Sequence, residues 1–358
     1  MKRLIPWLIL AALACQSGRL ASAPIPTPYP PEYLPTVIGM TAAALASPIP
    51  PSLTPSPPQS SPTPTITRTP APFEQYTIDY LRQRSYGGGA IEIVKTMDAS
   101  DQFTRYLIRY PSDGLTMYGY MNVPPGSGPH PVVIVIHGLT DSGTFNSLTF
   151  ANDMTDTLAR AGYLVIFPIL RGYPPSASGD NMFRVGMSVD ILNLIAHIKN
   201  QGGQAGPLEQ ADPARIGLLG HSMGGDVALR VLTISTDIKA AVLYASLSGN
   251  EIKNSQQLYN ISLEPQFQNE LNTLPSMMPL ISPVYFFGNI GAPIQLYHGT
   301  SDETVPVSWA QETCSFMSAA GKNINCIYYE GAGHIFGGTT RDQFFESMLL
   351  FYGTHLSQ

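Results

Sequence analysis

The chain is poor in charge. Asp, Glu, Lys and Arg make up 12% of its 358 residues, and the net charge is −6. Ordinary globular domains carry about a quarter. A nucleic-acid partner needs a concentrated basic face, which neither the number nor the sign of these charges provides. Cysteine is scarce too, at three residues. There is no C-x-x-C and no H-E-x-x-H, and the seven histidines are scattered, so no metal site and no cofactor is expected. No apolar run reaches the roughly 18 residues of a membrane-spanning helix, which excludes a polytopic membrane protein. Against these shortages stands a hydrophobic content of 44%, enough for a sizeable core and too much for wholesale disorder.

Proline is abundant and unevenly spread. The chain opens Met1-Lys2-Arg3, continues with an apolar stretch over 4–14 and reaches Cys15. A basic start, a short apolar run and small residues before a cleavage point read as a secretory signal over 1–15. The end Ala12-Leu13-Ala14-Cys15 resembles a bacterial lipobox, which implies lipidation of Cys15 and a membrane anchor. Ala12 stands where that motif prefers Leu, and plain cleavage after Ala14 with secretion is the alternative. Residues 16–72 hold 16 prolines and 15 serines or threonines. Such a segment buries little and is held extended by its prolines, so a linker that keeps a domain clear of a membrane is expected. Export to an oxidising compartment leaves Cys314 and Cys326 as either a disulfide or two buried thiols.

From 73 to 358 the composition is that of one globular domain. Segments 91–96, 103–110 and 115–123 read as strands of an antiparallel opening. The run Pro131-Val132-Val133-Ile134-Val135-Ile136 is continuously apolar, the mark of a strand buried on both faces. Strands and helices then alternate. Helices are expected over 151–161, 183–200, 223–235, 306–320 and 342–352, and strands over 163–167, 216–219, 240–244, 294–297 and 324–329. This predicts an α/β fold with a mostly parallel central sheet covered on both faces and an antiparallel N-terminal edge. Ligands of such sheets sit beyond the carboxyl ends of the strands.

Three strand ends carry the residues of interest. After 216–219 comes Gly220-His221-Ser222-Met223-Gly224-Gly225, a G-x-S-x-G between a short apolar strand and an amphipathic helix. That setting presents Ser222 as a nucleophile at the positive end of the helix. A serine hydroxyl needs a base. After 294–297 comes His298-Gly299-Thr300-Ser301-Asp302, and after 324–329 comes Glu330-Gly331-Ala332-Gly333-His334. Serine, acid and histidine thus follow one another, with Asp302 orienting His334 and His334 taking the proton of Ser222. Glu303 and Glu251 are the rival acids. The N–H groups of Met223 and Leu139 are the candidate oxyanion donors, the second in the turn His137-Gly138-Leu139 after the first central strand. His137, His221 and His298 read as structural. Asp226 reads as a complement to the helix dipole.

These motifs together resemble the α/β-hydrolase superfamily. Tyr110-Pro111-Ser112-Asp113-Gly114-Leu115 and the run from Ser282 to His334 further resemble the catalytic domain of the prolyl oligopeptidase family and dienelactone-hydrolase-like esterases. The resemblance implies roles in a triad for Ser222, Asp302 and His334. It departs in one respect: a linker, not a propeller, precedes this domain, so small esters or peptide ends at an open site are the expected substrates. Residues 246–291 form an insertion, read either as a partial lid or as ordinary helix packing. The expected activity is ester hydrolysis through an acyl-enzyme. A serine peptidase is the alternative, and a non-catalytic surface binder the third reading.

Overall fold

The computed structural model describes residues 73–143, 147–273 and 275–357. The secretory signal, Cys15 and the linker expected over 16–72 lie outside these residues.

The strands are β1 (Glu92–Ala99), β2 (Thr104–Ser112), β3 (Leu115–Val123), β4 (His130–Ile136), β5 (Leu164–Ile169), β6 (Ala211–His221), β7 (Ile238–Tyr244), β8 (Ile294–Gly299) and β9 (Ile324–Tyr329). They form one sheet in the order β1-β2-β3-β5-β4-β6-β7-β8-β9. The pairs β1–β2, β2–β3 and β3–β5 are antiparallel. From β5 through β4 to β9 every pair is parallel. The antiparallel edge and the parallel body are therefore as the sequence rhythm predicts. Val132 to Ile136 are fully buried, which is what their unbroken apolar run requires of a central strand.

Helices α1 (Ile78–Gln83), α2 (Ser147–Arg160), α3 (Val185–Gln201), α4 (Met223–Ile234), α5 (Glu251–Ser262), α6 (Pro265–Leu271), α7 (Met278–Ile281), α8 (Val307–Ala319) and α9 (Gly338–Leu356) surround the sheet. Several elements depart from expectation, three of them by more than a frayed end. Helix α1 was not anticipated, because six residues give too little periodicity; its start is fixed by Thr77, whose hydroxyl accepts the Tyr80 N–H at 3.3 Å. Helix α3 begins at Val185 rather than at 183. Phe183 and Arg184 instead take φ of 54° and 55°. They are held there because the Phe183 N–H donates to Glu270 at 2.7 Å and its carbonyl accepts from Arg230 at 3.0 Å. Strand β6 runs well beyond 216–219, its early residues pairing with His130 and Pro131.

The 246–291 insertion contains α5, α6 and α7. Asn250 caps α5, its side chain accepting the Ile252 N–H at 3.0 Å.

Candidate active site

Ser222 is the single residue between the end of β6 and the start of α4. Its backbone sits at φ 55° and ψ −119°, a region an L-residue enters at a cost of order 1–3 kcal/mol. The surroundings over-determine it. The Ser222 N–H donates to the Tyr244 carbonyl at 3.0 Å, and the Ser222 carbonyl accepts from Gly225 at 2.9 Å and Leu247 at 3.1 Å. Gly224 is required for the turn to approach β4, since a Cβ there would lie 2.2 Å from the Ile136 carbonyl oxygen. The result is the sharp strand-to-helix elbow that lifts a serine above a sheet.

His334 follows β9 and Asp302 follows β8. Nδ1 of His334 lies 2.8 Å from Oδ2 of Asp302. The Asp302 Oδ1 accepts the Thr304 N–H at 2.9 Å and the Val305 N–H at 2.8 Å. Nε2 of His298 stands 3.3 Å from Oδ2 and 2.9 Å from the Val305 carbonyl. Burial alone would push the Asp302 carboxyl up. The hydrogen bonds from His298, His334 and Val305 outweigh it and hold the group well below the usual carboxylate range. Asp302 is therefore a fixed anion that orients His334 and keeps a proton on its Nδ1.

The turn after β4 closes on the serine: a Cβ on Gly138 would lie 3.0 Å from the Ser222 Cβ. Leu139 and Met223 line one cavity of about 540 Å³. The Met223 N–H belongs to the first turn of α4, whose N–H groups have no acceptor within the helix. The same cavity is walled by Ile261, Glu264 and Phe267 of the insertion and by Arg171, Tyr173 and Arg184.

The other histidines serve the frame. His137 has Nδ1 2.8 Å from the Gly138 carbonyl and accepts the Leu170 N–H on Nε2 at 3.3 Å. Burial pushes its pKa down to about 4, partly offset by the Gly138 bond. His221 is pushed down to about 3 by burial and by the neighbouring His334, whose ring lies 5.0 Å away.

Of the rival acids, Glu303 is exposed, and Glu251 is engaged elsewhere. It belongs to a fully buried cluster that sequence reasoning missed. Arg184 binds Asp226 at 2.7 Å, Glu270 at 3.1 Å and Glu251, and Arg230 also binds Glu251. Asp226 is thus an ion-pair partner, not only a complement to the helix dipole. Burial pushes Glu251 up to about 8 despite Arg184. The cluster ties the nucleophile helix α4 to the insertion helices α5 and α6. Cys314 of α8 and Cys326 of β9 form a disulfide, with Cα atoms 6.5 Å apart.

A mostly parallel sheet with a serine at a strand-to-helix elbow, and an acid and a histidine after later strands, defines the α/β-hydrolase class. The model of the dienelactone hydrolase family matches residues 117–348, and the chain belongs to that family. The chain is 24% identical over 232 residues to the 2,6-dihydropseudooxynicotine hydrolase of Paenarthrobacter nicotinovorans, covering 62% of this chain and 57% of that one. Among solved structures it is similar to a puromycin-hydrolyzing peptidase of Mycobacterium tuberculosis, at 21% identity and a TM-score of 0.60. That match covers 73% of this chain and 40% of the other, so the chain spans less than half of that peptidase. It is also similar to an acetyl xylan esterase of Paenibacillus sp. R4, at 15% identity and a TM-score of 0.59, covering 78% of this chain and 92% of the other.

Proposed function

We propose that this hydrolase is an exported serine esterase, in which Ser222 Oγ attacks a carboxylic ester and forms an acyl-enzyme. His334 takes the serine proton on Nε2, the ring nitrogen left by its bond to Asp302, and passes it to the departing alcohol. The N–H groups of Leu139 and Met223 receive the charge that develops on the carbonyl oxygen. Water then repeats the sequence on the acyl-enzyme. The observation that carries this reading is the fixed Asp302–His334 pair at 2.8 Å, on the same sheet end as the strained Ser222. Membership of the dienelactone hydrolase family supports it. A lipid-anchored Cys15 would hold the enzyme outside the cell, at the membrane.

A peptidase of the same mechanism is the second reading, favoured by Glu264. Glu264 lines the cavity of Leu139 and Met223, where a carboxylate could receive a peptide ammonium. A complete set of serine, histidine and acid argues against a mere binding protein. Initial rates on a short acyl ester and the matching peptide amide, with Ser222→Ala as control, separate the readings. Turnover of the ester alone supports the esterase. Comparable kcat/KM on the amide supports the peptidase. Full activity in Ser222→Ala overturns both.

A further inference from the structure

A second cavity, of about 250 Å³, lies beside the site and has no part in the mechanism above. Met154, His221, Tyr244, Ile335, Phe336 and Phe344 line it. Its floor is aromatic. The Tyr244 ring lies 4.5 Å from His221, 4.5 Å from Phe336 and 4.7 Å from Phe344. The floor is also fixed, because the Tyr244 hydroxyl accepts the Phe336 N–H at 2.6 Å. At the mouth Ile335 is 71% exposed. The guanidinium of Arg341, also at the mouth, is matched by Asp153 at 3.5 Å and Asp342 at 3.3 Å. The lining therefore suits an uncharged apolar group. A dry apolar cavity of about 150 Å³ can hold benzene, so this one has room for a substituted ring.

Position decides which part of a substrate would enter. His221 immediately precedes Ser222, and its ring lies 5.0 Å from that of His334. Ile335 and Phe336 immediately follow His334. The cavity therefore lies beside the histidine, behind the ring of His221. Leu139 and Met223, the oxyanion donors of the esterase reading, line the other, more polar cavity. In acylation the bond from Ser222 Oγ to the acyl carbon forms and the bond from that carbon to the alcohol oxygen breaks. The alcohol oxygen takes from His334 the proton that Ser222 gave up. The alcohol must then lie on the His334 side. We propose that the aromatic cavity is the leaving-alcohol subsite and that it selects esters of uncharged, ring-bearing alcohols. This rests on the serine-esterase reading above.

Two isomeric esters test it. Benzyl acetate carries its ring on the alcohol, and methyl phenylacetate carries it on the acyl group. The wild type is expected to favour benzyl acetate by about tenfold or more in kcat/KM. Met154→Trp, which fills the cavity from a partly buried position, should lower kcat/KM for benzyl acetate by about tenfold and leave methyl acetate within twofold. The two acetates share one acetyl-enzyme, so a deacylation-limited kcat stays unchanged. Ile335→Trp, at the exposed mouth, gives the same reading if Met154→Trp fails to fold. A loss confined to methyl phenylacetate, or no selective loss in either variant, overturns the subsite while Ser222-dependent hydrolysis persists. Hydrolysis that survives in Ser222→Ala overturns the esterase reading, and the subsite with it.

Discussion

Asp302 and His334 meet through Oδ2 and Nδ1 at 2.8 Å, across 32 residues of sequence. The other carboxylate oxygen is already fastened to two backbone N–H groups, so the aspartate cannot rotate away from the histidine. An amide in its place would keep the shape and lose the charge, and could favour the wrong histidine tautomer. Asp302→Asn is therefore expected to lower kcat by about 10³- to 10⁴-fold. Glu303→Gln, at the exposed neighbour, should stay within about threefold. Steady-state kinetics on one ester, run on both variants, checks this; a large loss in the glutamate variant would reassign the acid.

Much of this arrangement was legible in the sequence because each feature is local. A continuous apolar run marks β4, and Ser222, Asp302 and His334 each stand within a few residues of a recognisable strand end. Glycines on both sides of Ser222 announce the elbow. The buried cluster was not legible. Arg184 binds partners 42 to 86 residues away, on helices whose periodicity says nothing of their mutual packing. Glu251 follows β7 much as Asp302 follows β8, and only the fold separates the two. The left-handed Phe183 and Arg184 likewise answer to distant groups and not to their own residue types.

That cluster should be a stability element. Two guanidinium groups face three carboxylates, all nearly inaccessible to water. Removing one partner leaves a buried charge uncompensated, at about 3–5 kcal/mol. Arg184→Ala, which strands the carboxylates of Asp226 and Glu270, is expected to lower the unfolding free energy by that order, read from urea denaturation. A loss under about 1 kcal/mol would mean that the cluster relaxes or hydrates.

The disulfide closes a short loop, from Cys314 to Cys326, and joins α8 to β9. A bridge of this span contributes about 3 kcal/mol, chiefly by restricting the unfolded chain. A Cys314→Ser/Cys326→Ser variant should melt at a lower temperature but keep its kcat. The wild type should show the same shift under reductant, and an unchanged melt would show that the bridge adds nothing.

Stability should depend on pH through three buried groups. His221 and His137 are held down at about 3 and about 4, below the usual 6.5. The folded state therefore binds fewer protons than the unfolded chain between those values and 6.5. Their contribution is complete above pH 6.5 and is lost as pH falls toward 4 and 3. Glu251, raised to about 8 from 4.5, acts oppositely; its contribution is present below pH 4.5 and is lost as pH rises through 8. Each group changes stability by at most about 1.4 kcal/mol per pH unit. Two histidines outweigh one glutamate below pH 6.5 and only the glutamate acts above it. Urea unfolding from pH 4.5 to 8 should give a maximum near pH 6.5; a stability that rises steadily to pH 8 would show Glu251 to be ionised in the fold.

Everything above turns on Ser222 being the nucleophile, which labelling with an alkyl fluorophosphonate followed by peptide mass spectrometry would identify. One phosphonylated residue, Ser222, is expected, formed in step with loss of esterase activity, with labelling slowed at least about 10³-fold in His334→Ala. A label on another serine that tracks inactivation, or full inactivation with Ser222 unmodified, would contradict it.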